Sequence, residues 1–189
     1  MTSNFLIISR SFIFEFVDNF SVTNLFGNLC DRIDFLLPEP FEKEQLKLAG
    51  KMYRSKQVTE SNSICTLQNL NEIDEPSIYL INGKSVVHGD NSFDSIIGKL
   101  NLMYSARQSY SIEGFVWKSK GESVLVKCGA INSGSEAVNI LIQVENDFIL
   151  EKVFPDLLNG SSSSVKLVEV NESSNEYLDI IIKSIKLTL

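Results

Sequence analysis

The run from Tyr110 to Glu145, YSIEGFVWKSKGESVLVKCGAINSGSEAVNILIQVE, restricts the fold more than any other part of the chain. Three β-rich segments are divided by two short polar turns that contain glycine, Ser119-Lys120-Gly121-Glu122 and Asn132-Ser133-Gly134-Ser135-Glu136. Turns this short join neighbouring antiparallel strands, so the stretch reads as a meander. Side chains alternate between the two faces of a strand. In the middle segment Val124, Val126, Cys128 and Ala130 share one face, and Leu125, Lys127, Gly129 and Ile131 the other. The third sets Ile140, Ile142 and Val144 against Leu141, Gln143 and Glu145, and the first sets Ile112 and Val116 against Phe115 and Trp117. A sheet with one face in water shows cleaner polarity on that face. Much of this sheet is therefore expected to be covered on both sides, once by the chain's own helices and once by more of the chain or by another protein.

Two amphipathic helices are available for the first cover. Val22, Leu25, Phe26, Leu29, Cys30, Ile33, Leu36 and Leu37 recur at spacings of three and four, with Phe35 off that face, and Pro38 and Pro40 end the helix. Phe93, Ile96, Ile97, Leu100, Met103 and Tyr104 repeat the pattern after a capping Asn91 or Ser92. Strands are expected at Phe5–Ser9, with Phe12–Val17 continuing or turning away, then at Gln45–Ser55, Ser63–Leu70, Ser77–Ile81 and Lys84–His88. The last two are joined by Asn82-Gly83, a strong hairpin signal because both turn positions need positive φ. Beyond the meander, Leu150–Leu158 reads as a short helix, Asn159–Ser164 as a flexible serine-rich loop and Val165–Val170 as an edge strand. Ser173 and Glu176 have capping-box spacing before a last amphipathic helix built on Leu178, Ile181, Ile182, Ile185 and Leu189. Strands in blocks predict one α+β domain over residues 1–189. Gly50, Gly114 and Gly129 inside strands predict a curved antiparallel sheet or partly open β-barrel, with two amphipathic helices and a C-terminal helix.

The chain's 189 residues are enough to bury a core without disulfide or metal. Seventeen Lys and Arg against 24 Asp and Glu give a net charge of −7, which disfavours broad contact with nucleic-acid phosphates. Met1–Val17 is interrupted by Arg10 and Glu15, unlike a signal peptide, and no apolar run reaches membrane-spanning length. Cys30, Cys65 and Cys128 have no metal-type spacing and read as reduced thiols, Cys30 and Cys128 as small core residues. With His88 as the single histidine, neither a metal site, a cofactor nor a catalytic residue is expected. A hydrolase using Cys65 or Cys128 with His88 is the weakest of the readings weighed.

From Gly83 to Glu145 the sequence resembles the Mediator complex subunit 20 family, of the head module of the transcriptional coactivator. The motifs are Ser92-Phe93-Asp94 at a helix start, Lys99-Leu100 within it, the strand step Val126-Lys127-Cys128-Gly129-Ala130, and Ile140-Leu141-Ile142-Gln143-Val144-Glu145 after a small-residue turn. Upstream, Gly50-Lys51-Met52-Tyr53 looks like a further family segment. Each motif is weak alone and their collinearity carries the likeness. The resemblance implies a non-enzymatic nuclear subunit that pairs directly with Mediator subunit 18, reaches Mediator subunit 8 through that pair, and with other head subunits couples regulators to RNA polymerase II. Sequence-specific nucleic-acid binding and membrane association are not implied. The meander, through Tyr110, Phe115, Trp117 and Leu141, is the expected partner surface, with Val124, Val126, Ile140 and Ile142 turned to the helices. The alternative is a small β-barrel that binds an apolar ligand inside its curved sheet.

Overall fold

The computed structural model describes residues 10–16, 21–37, 40–57, 62–71, 76–82, 85–90, 92–100, 102–119, 124–144, 149, 151, 155 and 165–170. In chain order the elements are β1 (Arg10–Phe16), α1 (Val22–Leu36), β2 (Phe41–Ser55), β3 (Ser63–Asn69), β4 (Ser77–Ile81), β5 (Ser85–Gly89), α2 (Ser92–Lys99), β6 (Tyr104–Ser119), β7 (Val124–Ser133), β8 (Glu136–Val144) and β9 (Val165–Val170). The nine strands form one antiparallel sheet in the order β5-β4-β3-β2-β6-β7-β8-β1-β9. The predicted meander is its centre. β5 and β9 are its two edges, so the sheet is curved and open rather than a closed barrel. The expected strand at Phe5–Ser9, the helix at Leu150–Leu158 apart from single positions, the loop at Asn159–Ser164 and the C-terminal helix lie outside the described residues.

Strand alternation divides the core in two. Ile13, Leu46, Leu48, Cys65, Leu67, Leu80, Tyr110, Ile112, Val116, Ile131 and Leu141 form one buried cluster, contributed by seven strands. Only a sheet that curls around its own side chains brings so many strands to one cluster, so this is the inner face. Both helices lie on the outer face. α1 covers Phe12, Trp117, Val126, Cys128, Ile140, Ile142 and Val144. α2 sits over Tyr53, Ile64 and Tyr79, toward the other end of the sheet.

Glycines permit the curvature where strands crowd. Gly114 pairs with Gly129, and a Cβ on the first would collide with the backbone of Cys128 and Gly129. At Gly50 a Cβ would strike the Thr66 carbonyl and the Tyr110 ring. There the Tyr110 hydroxyl crosses from β6 to donate to the Thr66 carbonyl, and Lys51 N–H donates to Thr66 Oγ1 at 3.0 Å. Side chains thus bridge an interval in the β2–β3 ladder, between Ala49↔Gln68 and Met52↔Cys65.

Two boundaries differ from expectation. β2 begins at Phe41 rather than near Gln45. α2 ends at Lys99, and Tyr104 starts a sixteen-residue strand where helix was expected. Met103 N–H and Tyr104 N–H both donate to the Leu100 carbonyl, at 2.8 and 3.0 Å, closing a turn that ends the helix. The polar segment Ser105–Ser109 has little strand pattern of its own. Pairing along the length of β2 makes it a strand, a case of long-range pairing overriding local preference.

Candidate partner-binding surface

α1 is fixed to the outer face by a compact group of side chains. Ser21 caps its start, accepting from Asn24 N–H at 3.4 Å. Leu29, Cys30 and Ile33 point into the sheet. On the flank of that face, Asp34 uses both carboxylate oxygens: Trp117 Nε1–H donates to Oδ1 at 2.6 Å, and Lys43 Nζ donates to Oδ2 at 2.6 Å. The Lys43 ammonium also lies 4.3 Å from the Phe115 ring centroid and 5.0 Å from that of Trp117. The two rings meet edge to face with centroids 5.9 Å apart. Helix, β2 and β6 are joined here by one carboxylate, one cation and two aromatic rings. A hydrogen bond to a charged group contributes roughly 1.5–3 kcal/mol, and a partly exposed cation–π contact about 0.5–1 kcal/mol.

This arrangement corrects the expected division of faces. Trp117 pairs with Val126, and Val126 with Val144 in the next ladder, so Trp117 and Phe115 share the helix-covered face with Ile140 and Ile142. The β6–β7 register is unbroken from Tyr110 to Trp117, so the alternation within β6 holds; what differs from expectation is which face of β6 lies beside Val126 and Ile140. Trp117 has no solvent exposure, and Phe115 is half-buried beneath Lys43. Tyr110 and Leu141 are buried in the inner-face cluster. The chain therefore packs all four residues expected at a partner surface against itself, and the structure does not bring them to one face. Both faces of the meander are covered, as the two-sided apolar pattern implied, but by this chain.

α2 is held differently. Phe93 packs edge to face on Tyr79 with centroids 4.4 Å apart, and Ile97 is buried beside it. The Tyr79 hydroxyl donates to the Asp90 carbonyl at 3.1 Å, tying down the approach to the helix. Tyr104 packs against the same cluster, but the other three apolar residues expected to bury do not. Ile96 is 48% exposed, Leu100 40% and Met103 48%, and Leu102 beside them is 88% exposed. Helical spacing sets Ile96, Lys99 and Leu100 side by side. The turn adds Leu102 and Met103, and Lys56 N–H donates to the Met103 carbonyl at 2.8 Å, bringing the end of β2 alongside. The result is an apolar ledge with the exposed cations Lys56 and Lys99 at its margin. The remaining exposed large hydrophobics among the described residues, Phe35, Leu70 and Val87, stand on other elements. The sequence signalled this ledge only indirectly: the predicted apolar face was too long for a helix of eight residues.

Among the described residues no group of three His, Cys, Asp or Glu is placed to hold a metal ion. His88 is exposed on edge strand β5, with Cys65 two strands away and Cys128 five, both buried. Cys30 and Cys128 belong to the same buried cluster beneath α1. A depression of about 240 Å³ between β2, β3 and β6 is bordered largely by short or polar side chains, among them Ala49, Lys51, Gln68, Ser77 and Ser109. Among the described residues no helix is long and apolar enough to cross a membrane.

No family model and no curated protein matches the sequence. Solved structures do show similarity. A chain of the Schizosaccharomyces pombe Mediator head module aligns at a TM-score of 0.42 and 11% identity, over 86% of this chain and 100% of that one. A Pyrococcus horikoshii protein aligns at 0.40 and 10%, over 93% and 99%. A conserved hypothetical protein of Pyrococcus furiosus aligns at 0.37 and 10%, over 78% and 87%. Likeness of shape at this level does not choose among them.

Proposed function

We propose that this chain is a non-enzymatic subunit of a Mediator-type coactivator in the nucleus. It is held there by direct contact with a sister subunit, the counterpart of Mediator subunit 18, and through it meets the remaining head subunits and RNA polymerase II machinery. The observation that carries a binding role is the ledge of Ile96, Leu100, Leu102 and Met103, four large apolar side chains at 40–88% exposure within eight residues. Exposed apolar clusters rimmed by polar groups mark protein contacts. The collinear motifs between Gly83 and Glu145 support the choice of assembly. Two of them, Ser92-Phe93-Asp94 and Lys99-Leu100, belong to the helix that forms the ledge.

The reading as a barrel for an apolar ligand has no comparable support. Side chains from seven strands occupy the inner face, and the depression on the sheet is bordered mainly by short or polar groups.

Recovery of the tagged full-length chain from its own cells tests the proposal. Wild type is expected with stoichiometric Mediator head subunits, and the Leu100→Asp/Leu102→Asp variant without them. Recovery of wild type as a lone monomer, or equal recovery of partners by both forms, overturns it.

A further inference from the structure

The ledge at the end of α2 constrains what can lie on it. Ile96 and Leu100 are one helical turn apart, and the turn places Leu102 and Met103 beyond them. The backbone of this segment is already engaged. The Leu100 carbonyl accepts from Met103 N–H and Tyr104 N–H, and Leu100 N–H donates to the Ile96 and Ile97 carbonyls. The Met103 carbonyl accepts from Lys56 N–H. An added strand would find no open ladder at these groups, so an occupant meets the ledge through side chains. A helix, whose backbone is satisfied internally, presents an apolar stripe at i, i+3, i+4 and i+7 for such a contact.

Charge narrows the occupant further. Residues 45–59 and 95–112 contain no Asp or Glu, although the chain has 24, and they carry Lys47, Lys51, Arg54, Lys56, Lys99 and Arg107. Strand pairing brings these two segments together, with Tyr53, Arg54 and Ser55 opposite Ala106, Ser105 and Tyr104. Lys99 adjoins Ile96 and Leu100, Lys56 lies beside Met103, and both are exposed. A chain of net charge −7 thus sets cations at the margin of its apolar ledge. We propose that the ledge is the docking site for an acidic amphipathic helix of a partner protein. Its apolar side chains rest on Ile96, Leu100, Leu102 and Met103, and its Asp or Glu residues meet Lys56 and Lys99. This rests on the reading of the ledge as a partner surface and adds the chemistry of what binds there. Apolar contact supplies affinity, and the complementary charge sets orientation and encounter rate. A second copy of this chain fits less well, because isologous pairing through the ledge sets cationic margins against each other. An anionic membrane also fits less well: α2 has only 8 residues, and the net charge opposes approach to such a surface.

The experiment is fluorescence anisotropy of labelled helical peptides titrated with the full-length chain. The peptides share leucines at i, i+3, i+4 and i+7 and differ only in flanking glutamates or flanking lysines. Wild type should bind the glutamate peptide roughly tenfold more tightly than the lysine peptide, and the difference should shrink as salt rises. Lys56→Glu/Lys99→Glu should remove or reverse that preference with the melting temperature unchanged. Leu100→Asp/Leu102→Asp should lose binding to both peptides, and Phe35→Asp on α1 should match wild type. Equal affinity for the peptides, or no measurable binding of the glutamate peptide, overturns the proposal. So does dimerisation in sedimentation, or binding to phosphatidylserine vesicles, that Leu100→Asp/Leu102→Asp abolishes. Neither peptide comes from a Mediator subunit. Failure here leaves the assembly reading to its co-purification test, and failure of co-purification leaves the peptide result standing.

Discussion

α1 and α2 begin from similar sequence patterns and meet different fates. Each repeats apolar residues at three and four, and each packs on the outer face of the same sheet. α1 sinks Leu29, Cys30 and Ile33 into the sheet, and Asp34 then binds Trp117 and Lys43. α2 commits only Phe93 and Ile97 to the fold and leaves Ile96 and Leu100 in solvent. An apolar stripe therefore establishes that a face will be covered, not that the same chain covers it. Between the helices the outer face of β2 and β6 is polar, with Lys47 opposite Glu113 and Lys51 opposite Ser109. The ledge at the end of α2 is not an extension of a general apolar surface.

The contrast can be broken most forcefully under α1. Leu29→Asp or Ile33→Asp places an unpaired charge in the buried cluster and should cost several kcal/mol, about 4 or more. Urea denaturation is expected to show the chain largely unfolded. Trp117→Ala removes a fully buried indole and should cost about 3–5 kcal/mol, again read from the urea midpoint. A midpoint near wild type would place Trp117 outside the core. Asp34→Asn keeps the shape but weakens both hydrogen bonds of the carboxylate, for a loss of about 1–2 kcal/mol. Lys43→Met removes the ion pair and the cation–π contact while keeping the aliphatic stem. Its side chain is 30% exposed, so the loss should stay near 0.5–1 kcal/mol. At the other end, Leu100→Asp and Leu102→Asp alter exposed groups and should move stability by no more than about 0.5 kcal/mol. A loss at Leu100 equal to that at Leu29 would erase the distinction between the helices.

These residues also show how far sequence reasoning reaches. The meander, the Asn82-Gly83 hairpin with Asn82 at φ 56°, α1 and the glycine-dependent curvature were all legible, because each depends on local pattern or turn chemistry. The faces of β6 were not. Alternation separates Phe115 and Trp117 from Ile112 and Val116, but which of those faces lies beside Val126 and Ile140 depends on the cross-strand pairing, which no single strand announces. The Asp34–Trp117 contact spans 83 positions, and Asp34 read only as a polar residue off the helical face. The residues expected at a partner surface divide between the two faces for a related reason. Aromatic residues suit interfaces and cores equally, and the choice rests on which helix covers which strands.

The most direct test of the proposal that α2, and not the aromatic face of the meander, meets a partner is the affinity of the chain for the proposed partner, Mediator subunit 18. Leu100→Asp/Leu102→Asp is compared with wild type and with Phe35→Asp, which alters an isolated residue on α1 that is 85% exposed. The account predicts at least about a tenfold rise in Kd, roughly 1.4 kcal/mol, for the double variant, an unchanged melting temperature, and wild-type affinity for Phe35→Asp. Wild-type affinity in the double variant, or an equal loss in Phe35→Asp, would contradict it.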